Sequence, residues 1–180
     1  MTTPVLSSLH VYPIKSSADI SISNTWVDEF GLSFDRRFVV SDLQGQFMTA
    51  RKHHNICLIQ SNIVPEGFML KAPNMPNIII KYEEITEQYK QVSVWRDNIE
   101  AQVCHSTINN WLSTYLKQPC QLLFFGEHST RQVKNSKNSV AFPDAYPLLL
   151  ISKASLAALN KRSKRNNTMK QFRPNIVIEE

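Results

Sequence analysis

Arg36-Arg37-Phe38-Val39-Val40-Ser41-Asp42-Leu43-Gln44-Gly45-Gln46-Phe47-Met48-Thr49 decides the fold class. Arg36–Val40 and Gln46–Thr49 flank the turn segment Asp42-Leu43-Gln44-Gly45, so the stretch reads as a β-hairpin. Working outward, the same pattern repeats. Upstream, Val5–Tyr12 is a strand closed by Pro13, Ile20–Ser23 alternates, and Trp26-Val27 extends it after a break. Asp28-Glu29-Phe30-Gly31 has turn chemistry. Downstream, short strands are expected at 56–62, 67–72, 77–81 and 88–95. A second hairpin turns at Arg96-Asp97-Asn98 into Ile99–Cys104. Many short strands with regular turn signals predict a small barrel or sandwich over the first hundred residues.

Past that point the period changes. Ile108, Trp111, Leu112, Tyr115 and Leu116 form a helical stripe over Thr107–Lys117, with Ser106 as N-cap and Pro119 as the stop. Cys120–Phe125 reads as a strand, and the polar residues 126–142 as a mobile loop. That loop is the best place for a domain boundary. The remainder holds an apolar run from Tyr146 to Ile151, a helix capped by Ser152 that runs to about Arg162, and a last strand, Ile176-Val177-Ile178. A strand that has just begun does not close a domain, so the sequence reads as one part of a longer protein. Left unpaired, that strand would be an aggregation or dimerisation edge.

Composition describes an ordinary globular protein, with 42% hydrophobic and 19% charged residues. No apolar run approaches the roughly 20 residues of a membrane span. Met1-Thr2-Thr3-Pro4 lacks a signal-peptide pattern, so cytoplasmic residence is the expectation. The three cysteines, Cys57, Cys104 and Cys120, match no paired motif and are expected to be buried, inert thiols. Charge is uneven: residues 1–125 carry ten Lys and Arg against eleven Asp and Glu, residues 126–180 ten against four. The cluster Lys161-Arg162-Ser163-Lys164-Arg165 suits either a contact with phosphate or nucleic acid or a solvated helix end.

Strand-end loops of a rigid barrel are where binding residues gather. Lys15 follows the first strand, Arg36-Arg37 opens another, and Thr49-Ala50-Arg51-Lys52 closes the one after. Phe172-Arg173-Pro174-Asn175 forms a stiff corner, because a proline favours extended geometry in the residue before it. An extended Arg173 there would present a guanidinium fork and Asn175 an amide. Lys15, one of Arg36 or Arg37, Arg51 and Arg173 could thus converge on an anion, with Ser16 and Asn175 as neutral partners. The alternative is scattered surface cations. Asp144, in Phe142-Pro143-Asp144-Ala145-Tyr146-Pro147, either caps a turn or accepts hydrogen bonds from a ligand's amino groups. With four glycines, no P-loop and no GxGxxG, nucleotide-binding motifs are absent. His53-His54 is a poor chelate, because neighbours in a strand face opposite ways.

Six segments together resemble the MOSC family, named for the C-terminal domain of molybdenum-cofactor sulfurase. They are Tyr12-Pro-Ile-Lys-Ser, Gly31-Leu32 with Asp35-Arg-Arg-Phe-Val-Val, Gly45 to Met48-Thr-Ala-Arg, Phe142-Pro-Asp, Leu150–Asn160, and Phe172-Arg-Pro-Asn. Within the family the chain looks most like the amidoxime-reducing type. The resemblance implies a mainly β fold with a few helices: an N-terminal β-barrel over residues 1–120, then an incomplete mixed α/β MOSC domain over 121–180. It also implies a molybdopterin cofactor (the molybdenum cofactor) between the two domains. By motif, Lys15, Ser16, Arg37, Asp144, Arg173 and Asn175 are the implied cofactor-binding residues.

The family's molybdenum ligand is a cysteine downstream of the Arg-Pro-Asn strand, and none of the three cysteines here matches it. The resemblance therefore implies an oxidoreductase reducing small N-hydroxylated compounds, fed by an electron-donor domain or protein, of which this chain supplies part of the pterin and phosphate pocket. By itself the chain is expected to hold no metal, to bind no cofactor and to be inactive. The competing readings are a non-catalytic, stand-alone β-barrel binding module and a nucleic-acid binder using Trp95 and Phe47. The near-neutral charge of residues 1–125 speaks against nucleic acid.

Overall fold

The computed structural model describes residues 3–179; Met1, Thr2 and Glu180 lie outside it. Its strands are β1 (Val5–Val11), β2 (Ile20–Ile22), β3 (Val27–Asp28), β4 (Gly31–Leu32), β5 (Phe38–Ser41), β6 (Gln60–Val64), β7 (Gly67–Lys71) and β8 (Ile78–Lys81). Next come β9 (Ile85–Val94), β10 (Asp97–Cys104), helix α1 (Ser106–Leu116) and β11 (Gln121–Phe124). The chain then runs through β12 (Leu150–Ser152), helix α2 (Lys153–Arg162) and β13 (Ile176–Glu179).

A central sheet in the order β5-β11-β10-β9 explains why its strands carry continuous apolar runs. Side chains alternate across a strand. Phe38 and Val40 of β5 and Leu122 of β11 face one core, with Ile14, Ile59, Leu70 and Leu112. Val39 and Leu123 face a second core on the opposite side, with Val92, Ile99, Phe125 and Phe142. Each large aliphatic or aromatic side chain so buried contributes about 1.5–3 kcal/mol. The sheet β6-β7-β8 and helix α1 close the first core. In α1, Ile108, Trp111 and Leu112 are buried, and Trp111 Nε1 donates to Pro76 O at 2.7 Å. The fold is mainly β, as expected, but its sheets do not close into one continuous ladder: between the sheets of β1 and β5 the link is the isolated bridge Ile14–Phe38.

Several local expectations give way. Ile56-Cys57-Leu58 lies in a 3-10 helix, His54–Leu58, which buries Ile56 and leaves Cys57 exposed. The arm Gln46–Thr49 pairs through single bridges, because Gly45, at φ 81°, turns the chain towards β9: Ser93 N–H donates to Gly45 O and Phe47 N–H to Ser93 O. The second hairpin turns at Trp95-Arg96, with Val94 opposite Asp97 and Trp95 at φ 58°. The cap of α1 is His105, whose Nδ1 accepts from Thr107 N–H. Residues 126–142, expected to be mobile, bury Ser129, Val133, Val140, Ala141 and Phe142.

The last strand also differs from expectation. β13 lies inside the sheet β12-β13-β1-β2, parallel to β12 and antiparallel to β1, so it is no free edge. Asn175 fixes this placement. Its N–H donates to Leu149 O, and its carbonyl accepts from His10 N–H, both at 2.8 Å.

Candidate functional site

Where β1 ends, Tyr12-Pro13-Ile14-Lys15 is steered inward. Tyr12 N–H donates to the buried Asp35 Oδ1 at 2.8 Å, and Lys15 N–H to Phe38 O at 2.7 Å. Ser16 sits at φ 75°, and Ser17 Oγ closes the turn on Ile14 O. The result is a lysine side chain only 5% exposed. Lys15 Nζ donates to Phe142 O at 2.5 Å and to Asp144 Oδ1 at 2.8 Å, and lies 5.0 Å from the centroid of Phe47. Burial draws its pKa down to about 8, against the upward pull of the Asp144 carboxylate. Burial alone would raise the Asp144 carboxyl, but Lys15 and the Trp95 indole, which donates to it at 3.0 Å, hold it below its usual value.

The Arg-Pro-Asn corner approaches from the other end of the chain. Arg173 is not extended: it adopts φ 56°, because its N–H closes a 3-10 turn on Lys170 O before Pro174. Non-glycine residues rarely take this conformation. Its Nη1 donates to Ser17 O at 2.6 Å, and its guanidinium lies 4.3 Å from the Tyr12 ring centroid. Nη2 is buried with no hydrogen-bond partner. Burial and the nearby Arg36 lower its pKa. Such an atom costs about 1–3 kcal/mol until an acceptor reaches it.

Arg36 and Arg37 part company. Arg36, at φ 47°, donates from Nη1 to Asp35 Oδ2 at 2.6 Å and to Asn175 Oδ1 at 2.9 Å, and from Nη2 to Arg173 O at 2.8 Å. Its guanidinium lies 4.4 Å from the Tyr12 centroid. Tyr12 itself is pushed up to about 12 by burial, against the pull of Arg173 and Arg36. Arg37 points elsewhere: it binds Asp28 at 2.5 Å and stacks on Phe30. The resemblance selects Arg37, but the structure brings Arg36 to the cavity. The neighbours differ because Arg36 lies in the turn before β5, held by Asp35 and Asn175, while Asp28 captures Arg37.

These segments enclose a cavity of about 490 Å³. Lys15, Ser16, Arg36, Arg51, Asp144 and Arg173 supply its polar lining. Trp95, Tyr146, Leu148 and Phe172 give it an apolar side, and Arg51 lies 5.5 Å from the Trp95 centroid. Asn175 reaches the wall, but its Oδ1 accepts from Arg36 and Leu149 N–H and its Nδ2 donates to His10 O, so its first duty is to hold the corner. Ser16, Arg36, Trp95 and Arg173 are four of the eight non-glycine residues with positive φ among the described residues, and all four line this cavity. Backbone strain of this kind collects at ligand sites.

The same segments match known proteins. The model of the MOSC N-terminal beta barrel domain matches residues 3–119, and that of the MOSC domain matches residues 137–180. The chain belongs to the MOSC family. This MOSC protein is 33% identical over 186 residues to mitochondrial amidoxime-reducing component 1 of Mus musculus, covering 96% of the chain and 55% of the relative. It is 30% identical to mitochondrial amidoxime reducing component 2 of Rattus norvegicus, over 96% of the chain and 56% of the relative. With human molybdenum cofactor sulfurase it shares 29% identity over 88% of the chain and 18% of that protein. It thus spans about half the length of the amidoxime-reducing relatives.

Three features of the MOSC protein's site were not found from sequence. Trp95 reads as a core or stacking residue, and only the turn at Trp95-Arg96 reveals that it faces the cavity. Cys57 reads as buried, yet lines the cavity wall. Arg131 lies in a segment that reads as a loose loop, although its side chain is 6% exposed. The spacing of Arg131 ahead of Phe142-Pro143-Asp144 carries no motif that would have flagged it.

Proposed function

We propose that this chain forms the cationic wall of a molybdopterin site in an oxidoreductase that reduces small N-hydroxylated compounds. One observation carries the reading: Lys15, Arg36, Arg51 and Arg173 converge on one cavity, where Arg173 Nη2 is buried and lacks an acceptor. The residues fit an anionic, ring-bearing ligand. Arg173, Arg51 and Lys15 would hold phosphate oxygens, with the Ser16 hydroxyl as a neutral donor. The Asp144 carboxylate would accept from ring amino groups, and Trp95 offers a flat apolar face. Arg36 takes the part that the resemblance gives to Arg37, and Asn175 acts by holding Arg36. When bound, the cofactor's metal centre supplies two-electron redox chemistry, while the protein supplies binding and orientation.

None of the three cysteines is proposed as the metal ligand. Cys104 and Cys120 are buried, with thiols pushed up by burial. Cys57 stands without a cluster: no group of three or more His, Cys, Asp or Glu that could hold a metal occurs among the described residues. The proposal leaves metal ligation, the N-hydroxylated substrate and the electron donor to the longer protein. Cytoplasmic residence is part of it, supported by the free, exposed thiol of Cys57, whereas the amidoxime-reducing relatives are named as mitochondrial. No helix among the described residues is long and apolar enough to cross a membrane.

A stand-alone binding module without catalysis is the second reading, favoured by a cavity whose lining comes from this chain. Pterin content decides whether the site is a cofactor site at all. The longer protein is produced in a host that makes the cofactor, oxidised in acid, and assayed for fluorescent pterin. Wild-type protein is expected to release pterin, with Lys15→Ala and Arg173→Ala each releasing several-fold less. No pterin from the wild type, or equal amounts from all three, would overturn the proposal. Reduction of an N-hydroxylated amidine by the longer protein, with a chemical electron donor, separates the oxidoreductase from the module.

A further inference from the structure

Four consecutive carbonyls, from Ala141 to Asp144, are divided between two cations. Arg131 Nη1 donates to Ala141 O at 3.1 Å and to Pro143 O at 2.5 Å, and Nη2 donates to Asp144 O at 3.2 Å. The carbonyl between them, Phe142 O, accepts from Lys15 Nζ at 2.5 Å. Arg131 Nε is anchored on Asp97 Oδ2 at 2.7 Å, on the first residue of β10. The planar fork of an arginine can bridge several acceptors at once, which an ammonium cannot. A second tie, Phe142 N–H to Arg36 O at 3.1 Å, fixes the middle of the segment from the cavity side.

We propose that Arg131 is a positioning residue: by holding the carbonyls of Ala141, Pro143 and Asp144 it turns Phe142 O and the Asp144 carboxylate onto Lys15, and so fixes the cationic wall of the cavity. Arg131 lies outside the cavity lining, and so acts on a ligand only through this segment. The charged groups around Lys15 are Asp144, Arg131 and Arg36, with the Phe47 ring beside it. Released from Arg131, the Asp144 segment would open, water would reach Lys15, and the burial that draws its pKa down would be lost.

The consequence for a ligand rests on the anion-site reading above, but Lys15 can be read with no ligand present. Trace labelling with acetic anhydride from pH 6.5 to 11, followed by peptide mass spectrometry, gives the reactivity of Lys15 at each pH. Wild-type protein is expected to show a midpoint near 8. Arg131→Gln and Arg131→Lys are both expected to move it upward by a unit or more, a roughly fivefold or larger fall in neutral amine at pH 8. Arg131→Lys is decisive, because it keeps the charge and loses the fork. A wild-type midpoint in Arg131→Lys would leave charge alone at work and overturn the positioning role. Loss of cooperative unfolding in Arg131→Lys would also overturn it, since Arg131 would then serve the fold as a whole. If Arg131→Gln alone fails to fold, the lysine variant carries the test. A shifted midpoint with pterin content unchanged would support Arg131 as a positioning residue while counting against the cofactor reading.

Discussion

Arg36 Nη1 donates to Asn175 Oδ1 at 2.9 Å, tying two residues 139 positions apart into one wall of the cavity. The same oxygen accepts from Leu149 N–H, and Asn175 Nδ2 donates to His10 O. Asn175→Ala should therefore cost stability before it touches any ligand. Leaving these buried partners unmet costs about 2–3 kcal/mol, on the scale of one or two orphaned groups. For a chain of this size that lowers Tm by about 4–12 °C. Calorimetry of the purified variant checks it; a Tm within a degree of wild type would show that the corner stands without Asn175.

Arg173 is expected to behave differently, because one of its nitrogens has no partner in the protein. With pyrophosphate as probe, Arg173→Ala should weaken binding about tenfold or more, the range of a charge-assisted hydrogen bond. Arg173→Lys should recover only part, lacking the fork. Titration calorimetry reads both, and equal affinity in wild type and Arg173→Ala would place the anion elsewhere.

Lys15 gives two pH dependences of fixed sign. Its folded pKa, about 8, lies below that of an unfolded lysine, 10.5. Between those values the unfolded chain holds more protons, so stability rises with pH through that window and the gain is lost as pH falls through 8. Urea midpoints measured from pH 7 to 10.5 should climb in wild type relative to Lys15→Met, in which this contribution is gone. Anion affinity should run the other way and fall as pH passes 8, where the ammonium is lost. An affinity that is flat across that range would remove Lys15 from the binding set.

Cys57 should be the one fast thiol. Cys104 and Cys120 are buried and their thiols raised, while Cys57 is exposed on the cavity wall. A disulfide reagent under native conditions should titrate one thiol quickly, and saturating pyrophosphate should slow that reaction several-fold. Two or more fast thiols, or no protection, would contradict the placement of Cys57.

Strand positions were legible where apolar segments end at turns. Val5–Val11, Gly67–Lys71 and Ile78–Lys81 fall where strands were expected, and Ser152 caps α2 as its hydroxyl and position suggest. Of the residues expected to converge from strand ends, Lys15, Arg51 and Arg173 line one cavity together with the neutral Ser16. Choosing between Arg36 and Arg37 was not legible, because the answer depends on Asp28, which captures Arg37 from outside the motif. Arg173 failed the extended rule before proline because the 3-10 turn on Lys170 O and the tertiary bond to Ser17 O together outweigh a local steric preference. Arg131 was invisible for a simpler reason: apart from Asp97, its partners are backbone carbonyls, which every sequence has.

The pairing of β13 with β1 sets an order in time. Leu9 lies opposite Ile176 as well as Ile22, so β1 pairs with β2 early but waits for all the residues between Leu9 and Ile176 before it gains its second neighbour. Sequence-distant pairings of this kind form late, since the long intervening loop must be closed before they are rewarded. Lys15 can therefore meet Phe38 long before Arg173 is made, and the ligand cavity cannot be completed until the Arg173 corner has left the ribosome.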